Sequence, residues 1–144
     1  MNKNTCLSVE NLRVDHSISD DLVKNTILVY FTTINAEEFQ TTAELFAQEG
    51  ILYPPFESAV VGRKAIETYL AREAKGLKLS PDTITCIEKT EATLYRIIGQ
   101  VRTPLFSVNV AWEFQLNSQL EILLVKIELL AKLEELLLKK TAFS

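Results

Sequence analysis

Residues 106–116, FSVNVAWEFQL, form the clearest strand pattern in the chain. Apolar and polar residues alternate there, so one face of the extended strand is continuously apolar and the other is polar. A strand of this kind packs one face on a core and leaves the other in water. The apolar face consists of Phe106, Val108, Val110, Trp112, Phe114 and Leu116.

The same two-residue period continues on both sides of this strand, from about residue 78 to residue 131. Residues 93–103 place Tyr95, Ile97, Gly99 and Val101 on one face, and residues 121–131 do the same with Leu123, Val125, Ile127 and Leu129. The pattern predicts three or four consecutive antiparallel strands. The segment 132–140, KLEELLLKK, predicts a short amphipathic tail helix.

Helical periodicity dominates the first half of the chain. Residues 19–35 predict a helix with Ser19 as its N-cap, and Asn35 with Glu38 predicts a capping box for a second helix. A third helix follows Gly62, and its stripe is Ile66, Tyr69, Leu70 and then Glu73, a carboxylate expected at the open end of the stripe in water. The inward stripe of the first helix is Val23, Ile27, Tyr30, Phe31 and Ile34.

Helices that precede a run of strands are typical of an α+β fold. We expect a curved antiparallel sheet wrapped around the N-terminal helices, which gives a cone with an apolar inside. Residues 1–18 are expected to form a mobile arm, and residues 19–144 a single domain that ends in the tail helix.

Composition narrows the function classes. The formal net charge of −4 argues against a nucleic-acid-binding protein. A membrane-spanning run and a signal peptide are not evident in the sequence, so we expect a cytoplasmic protein. Cys6 and Cys86 are expected to be reduced thiols, with a redox-active contact between two chains as the alternative.

Two residues on the inward faces carry polar atoms on apolar rings. Tyr30 lies on the first helix and Trp112, the only tryptophan, lies in the middle of the strand. Both can donate a hydrogen bond, so together they suit one acceptor such as a ketone oxygen. Packing in an ordinary core is the alternative role for both rings.

Proton abstraction next to a carbonyl would require a buried base. Between residues 94 and 117 the inward positions are apolar, aromatic or glycine, and Glu113 and Glu128 are predicted to face outward. Glu57 and Glu73 are the acids that remain near the cone, at its edges. The pattern therefore predicts a dry cone without a base, and hence a protein that is not an enzyme.

Several segments resemble a known family. The order of elements is similar to that of the nuclear-transport-factor-like superfamily, which includes ketosteroid isomerases. The resemblance is closer to the C-terminal domain of the orange carotenoid protein and to stand-alone homologues of that domain. The segments that carry it are VYFTTINAEEFQTTAELFAQEGILYPPFESAVVGRKAI, YLAREAKGLKL, GQVRTPLFSVNVAWEF and VKIELLAKLEELL.

This resemblance implies a ketocarotenoid ligand, such as canthaxanthin or echinenone, bound in the cone and carried or transferred with a photoprotective role. It also implies a homodimer, carotenoid-binding helical-domain proteins as exchange partners, transient membrane contact for pigment uptake, and no nucleic acid. Tyr30 and Trp112 would bind the keto oxygen, and the rigid corner Pro54–Pro55 would replace the isomerases' catalytic base with a dry wall. The other expected wall residues are Ile34, Phe106, Val108, Val110 and Ile127.

The sequence also departs from the family pattern. Leu105 stands where the family often has a second tryptophan, and Lys132–Leu133 replaces a Ser-Pro before the tail helix. Glu73 matches a glutamate that pairs with the N-terminal domain of the full-length protein. Two other functions stay open: a cone-fold enzyme or binder of another apolar molecule, and a dimerisation module with a filled core.

Overall fold

The computed structural model describes residues 14–88 and 93–130 of the 144-residue chain. Residues 1–13 of the predicted arm and the predicted tail helix lie outside these ranges. The helices are α1 (Val14–Asn35), α2 (Phe39–Glu44) and α3 (Arg63–Glu73). The strands are β1 (Phe46–Tyr53), β2 (Val60–Val61), β3 (Lys78–Glu88), β4 (Thr93–Arg102), β5 (Ser107–Leu116) and β6 (Ile122–Leu129).

The strands form one sheet in the order β2-β1-β6-β5-β4-β3. Strands β3 to β6 are an antiparallel meander, as predicted, and the α+β class with its helices on one side is confirmed. One pairing differs from the expected antiparallel sheet, because β1 pairs with β6 in the parallel direction. The long connection through α3 and the meander allows this, since parallel neighbours need a crossover.

The inward stripe of α1 is confirmed: Val23, Ile27, Tyr30, Phe31 and Ile34 are all buried. The helix begins at Val14, before the expected cap at Ser19, so Ser19 lies within the helix. Burial of this stripe against the sheet removes several large apolar side chains from water, and each contributes roughly 1.5–3 kcal/mol to folding.

The predicted capping box of α2 is wrong. Glu38 occupies the N-cap, and neither it nor another side chain caps the helix. The Asn35 side chain instead binds the backbone of Leu79: its Nδ2 donates to the carbonyl oxygen at 2.8 Å, and its Oδ1 accepts from the N–H at 2.7 Å. Asn35 therefore fastens the end of α1 to the start of β3.

The inward faces of β4 and β5 are largely as predicted. Tyr95, Ile97, Val110, Trp112 and Phe114 are buried. On β6 the expected face is shifted at its start, where Ile122 is fully buried in place of Leu123. The cause is an irregularity in the β5–β6 register between Gln115 and Leu116, which a strict two-residue period cannot predict.

The acids of the long strands lie on the water-facing side of the sheet, as predicted. Arg96 on β4 binds Glu113 at 2.7 Å and Glu128 at 3.3 Å, and all three side chains are partly exposed. These ion pairs link β4, β5 and β6 on the face opposite the core.

The expectation of reduced thiols is wrong for Cys86. This side chain is buried on the inward face of β3 and is disulfide-bonded. Cys6 lies outside the described residues.

Gly99 on β4 is required by close contact with β3. A Cβ at this position would collide with the carbonyl oxygen of Ser80 and lie 2.9 Å from Cα of Pro81. We expect Gly99→Ala to reduce the free energy of unfolding by about 1–3 kcal/mol, because the two strands would have to separate. Urea unfolding measures this loss. Gln100→Ala on the exposed face is the control, with an expected change of at most about 0.5 kcal/mol, and equal stability of the two variants would contradict the argument.

Candidate ligand-binding pocket

A pocket of about 190 Å³ lies between α1, α3 and the inner face of the sheet. Tyr30 and Ile34 of α1 form one wall, and Val110 and Trp112 of β5 form the opposite one. The lining is almost entirely apolar. The pocket exists because the buried stripe of α1 and the inward face of β5 do not fill all the space between the helices and the curved sheet.

Eight of the nine residues predicted as ligand contacts line this pocket. Phe106 is the exception: it lies before the start of β5, and its side chain is 40% exposed. Contact of any of these residues with a ligand stays a prediction. The eight are Tyr30, Ile34, Pro54, Pro55, Val108, Val110, Trp112 and Ile127.

The two expected donors share this pocket and are held by the same aromatic neighbours. Phe31 packs edge-to-face on Trp112, with ring centroids 4.8 Å apart, and on Tyr30 at 5.3 Å. Phe114 packs edge-to-face on Tyr30 at 5.0 Å. Edge-to-face pairs are directional, so these contacts fix the orientation of both donor rings.

The polar atoms of these two rings are available to a ligand. Neither the Tyr30 hydroxyl nor the Trp112 indole N–H makes a hydrogen bond among the described side chains, and both residues line the cavity. Neither atom is fully enclosed without a partner, since Nζ of Lys24 is the sole such nitrogen or oxygen among these side chains. Both groups can therefore donate into the space of the pocket.

Burial raises the pKa values of the two tyrosines that line the pocket, so both stay protonated into the alkaline range. Desolvation raises the pKa of Tyr30 far above its usual value, and the nearby Tyr69 raises it further. Desolvation, followed by the charge of Glu57, raises the pKa of Tyr69 to about 12. Both phenols therefore remain O–H donors at neutral pH.

The mouth of the pocket is more polar than its floor. Tyr69 on α3 donates a hydrogen bond from its hydroxyl to Glu57, at 3.2 Å. The guanidinium of Arg72 lies 5.7 Å from the centre of the Tyr69 ring, and its Nε donates to Glu73 at 3.0 Å. Glu73 lines the pocket, but its side chain is 47% exposed, as expected for a carboxylate at the open end of the stripe.

Several lining residues were not predicted. The sequence placed Tyr69, Leu70 and Glu73 on one helical stripe, but nothing in the local pattern shows that this stripe faces the inside of the cone rather than another helix. Only the packing of α3 across the sheet settles it. The unpredicted residues are Leu52, Tyr69, Leu70, Glu73, Ala74, Leu77, Leu79, Val101 and Leu129.

Residues 14–88 and 93–130 contain neither a metal-binding cluster nor a membrane-spanning helix. No group of three or more His, Cys, Asp and Glu side chains there could hold a metal ion. No helix in this part of the chain has the length and apolar character needed to cross a bilayer.

Comparison with known proteins identifies the family. The nuclear transport factor 2 domain model matches residues 22–129. The chain belongs to this family. It is 38% identical to the orange carotenoid-binding protein of Synechocystis over 117 residues. This aligned region covers 78% of this chain and 37% of that protein. It is 36% identical to the orange carotenoid-binding protein of Limnospira maxima over 124 residues. This aligned region covers 82% of this chain and 39% of that protein.

Solved structures agree with this assignment. The orange carotenoid protein of Anabaena (Nostoc), solved with canthaxanthin, is 37% identical with a TM-score of 0.69, over 78% of this chain and 37% of that one. A protein from Sphaerobacter thermophilus is 21% identical with a TM-score of 0.60, over 74% of this chain and 94% of that one, which shows the shared fold alone. The chain thus spans less than two fifths of the length of its carotenoid-binding relatives.

The buried tyrosine predicts how stability depends on alkaline pH. The unfolded chain loses the Tyr30 proton near pH 10, whereas the folded chain keeps it, because its pKa is raised. The stabilisation is complete below about pH 10 and is lost as the pH rises toward the folded pKa, by at most about 1.4 kcal/mol per pH unit for one group.

Urea unfolding of the wild type and of Tyr30→Phe between about pH 9 and about pH 11.5 measures this dependence. We expect the variant to lose less stability over this range, and the difference between the two proteins at neutral pH is the reference. Equal slopes would show that Tyr30 does not hold its proton in the folded state.

Proposed function

We propose that this protein binds a ketocarotenoid, with one keto ring in the pocket, and that it carries or transfers the pigment in a photoprotective or antioxidant role. The observation that carries this proposal is the pair of hydrogen-bond donors, Tyr30 and Trp112, in a pocket whose other wall residues are apolar except for Tyr69 and Glu73. A neutral donor pair suits a carbonyl oxygen, which accepts two hydrogen bonds and brings no charge into the pocket. The similarity to carotenoid-binding proteins supports the same ligand class.

Binding without catalysis is the proposed chemistry. The acids closest to the pocket in the described part of the chain are Glu73, at its mouth, and Glu57, which accepts from Tyr69. The Glu73 side chain is half-exposed and the Glu57 carboxylate is bound by Tyr69, so neither is the buried, free base that proton abstraction next to a bound carbonyl would require. Pro54 and Pro55 supply wall and no titratable group.

The size of the pocket favours a ligand that is only partly enclosed by one chain and is shared with a second apolar surface. A volume of about 190 Å³ is below the roughly 300–1,000 Å³ of pockets that enclose a drug-sized ligand. A long polyene bound by one ring would therefore extend through the mouth. The part of the polyene outside the pocket would require a second apolar surface to shield it from water.

An exposed apolar rim at the mouth can supply contacts for that second surface. Strands β1, β4 and β6 end, and β3 and β5 begin, at the same edge of the sheet. Four exposed residues of this edge or of the loops that leave it have wholly apolar side chains, and they define the apolar rim: Phe56 (92% exposed), Leu105 (83%), Phe106 (40%) and Leu129 (39%).

We propose that a second copy of the chain covers the rim, which gives a homodimer with the pigment between two pockets. Because a diketone such as canthaxanthin has the same polar group at each end, a two-fold arrangement gives both ends the same donors. The proposed role includes transient contact with a membrane, from which the protein takes up pigment. It also includes pigment exchange with carotenoid-binding helical-domain proteins and a cytoplasmic location.

Reconstitution tests this function directly. We expect the protein, expressed in cells that make canthaxanthin or echinenone, to purify with a red-shifted carotenoid absorption band and to elute as a dimer. The physical reason is the transfer of a large apolar surface from water, worth roughly 25 cal/mol per Å². A colourless monomer that also fails to extract pigment from membranes would overturn the proposal and favour another ligand or a plain dimerisation module.

Substitution of the donors tests their role. We expect Tyr30→Phe and Trp112→Phe each to weaken pigment binding by about twofold to tenfold, since one hydrogen bond contributes about 0.5–1.5 kcal/mol. The absorption maximum should move to shorter wavelength, because the conjugated carbonyl loses a polarising donor. Absorption spectra and pigment titration measure both effects.

A matched control exists in Tyr95→Phe. Tyr95 is also a buried tyrosine, but its hydroxyl donates to Asp20 at 2.9 Å and it does not line the pocket. This variant should keep the wild-type spectrum. Wild-type spectra and affinities in both donor variants would refute the donor role.

A further inference from the structure

The loop between β1 and β2, residues 54–59, forms one lip of the pocket. Pro54 and Pro55 line the cavity, whereas Phe56 is 92% exposed. Phe56 has a φ angle of 63°, a left-handed conformation that is unfavourable for a residue with a bulky side chain. A conformation of this kind persists only where the surrounding structure imposes it.

One side-chain hydrogen bond ties this loop to the opposite lip. Among the described residues, the bond from the Tyr69 hydroxyl to the carboxylate of Glu57 is the sole side-chain hydrogen bond that the loop makes. Tyr69 lies on α3, and its ring lines the same pocket as Pro54 and Pro55. The bond therefore spans the mouth, from the helix on one side to the loop on the other.

The helical end of this bond is held in place, whereas the loop end depends on it. The guanidinium of Arg72 lies over the Tyr69 ring, and Arg72 is itself bound to Glu73. The loop end follows the wall residues Pro54 and Pro55 and the strained residue Phe56, and beyond them the bond from Tyr69 is the one side-chain hydrogen bond among the described residues that restrains it. Loss of the bond should release the loop and leave α3 unchanged.

We propose that the Tyr69–Glu57 hydrogen bond is a latch that closes the pocket and sets the rate at which ligand enters and leaves. The identity of the ligand rests on the proposed function; the latch itself rests on the geometry of the mouth. Because the acceptor is a carboxylate and the bond is solvent-exposed, its strength suits a gate that must open repeatedly. The Tyr69 phenol is protonated at neutral pH, and its pKa, raised to about 12 by desolvation and by the charge of Glu57, extends this into the alkaline range.

Nuclear magnetic resonance relaxation dispersion on the full chain without pigment tests the latch independently of any ligand, because it follows the open–closed conformational exchange of the loop through the amides of residues 56–59. We expect Glu57→Ala and Tyr69→Phe each to raise the open population of the loop by about threefold to tenfold, and to leave α3 unchanged. Glu57→Gln keeps an acceptor oxygen and should restore the wild-type loop exchange. Unchanged loop exchange in both of the first two variants would overturn the latch.

Pigment transfer tests whether the latch is also the gate. Canthaxanthin in phosphatidylcholine vesicles is the probe, and uptake and release are followed by absorbance. We expect Glu57→Ala and Tyr69→Phe to accelerate both directions by a similar factor, so that the affinity changes little. The double variant should be no faster than either single one, because both break the same bond. Tyr53→Phe, at the same edge but outside the pocket lining, is the control.

The outcomes separate the latch from the proposed function. A wild-type protein that takes up no canthaxanthin would refute the proposed function, and loop exchange would still decide whether the latch exists. A raised open population of the loop with wild-type pigment transfer would show that the loop does not gate the pocket, which overturns the proposal. Additive effects of the two substitutions would show that Tyr69 and Glu57 act separately, which also overturns it.

Discussion

The packing of Phe31 against the inner face of the sheet is the contact on which the rest of the structure depends. Its ring lies edge-to-face on Trp112 at 4.8 Å and on Tyr30 at 5.3 Å, and it tilts against Phe114 at 5.9 Å. These contacts join α1 to β5 in the centre of the core. Because aromatic edges and faces carry opposite partial charges, they fix direction as well as distance. The donors of the pocket are therefore placed by the core itself.

The two faces of the sheet separate charge from the pocket. Arg96, Glu113 and Glu128 pair on the outer face, whereas the same strands present Trp112 and Val110 to the pocket. This segregation follows from the two-residue period of a strand, which sends neighbouring side chains to opposite sides. Because the apolar lining gives the pocket a low local dielectric constant, a hydrogen bond inside it is electrostatically stronger than the same bond in water.

The elements with strong periodicity could be predicted from the sequence, and those that depend on distant contacts could not. The stripe of α1 and the faces of β4 and β5 follow from local pattern alone. Asn35 was expected to cap α2 because its spacing to Glu38 fits a capping box, yet the backbone of Leu79 competes for the same side chain. The shift that buries Ile122 arises from pairing between strands, which a single-strand pattern does not contain.

Some residues of the candidate site could likewise be predicted from the sequence, and others could not. Tyr30, Trp112 and the proline corner stand out because their chemistry is unusual for their positions, whereas the contribution of α3 depends on where that helix lies. A domain of this length must use most of its apolar residues to bury its own helices, so the pocket that remains is small. The residues of the apolar rim stay exposed, and such exposure is tolerated where a partner or a ligand covers it.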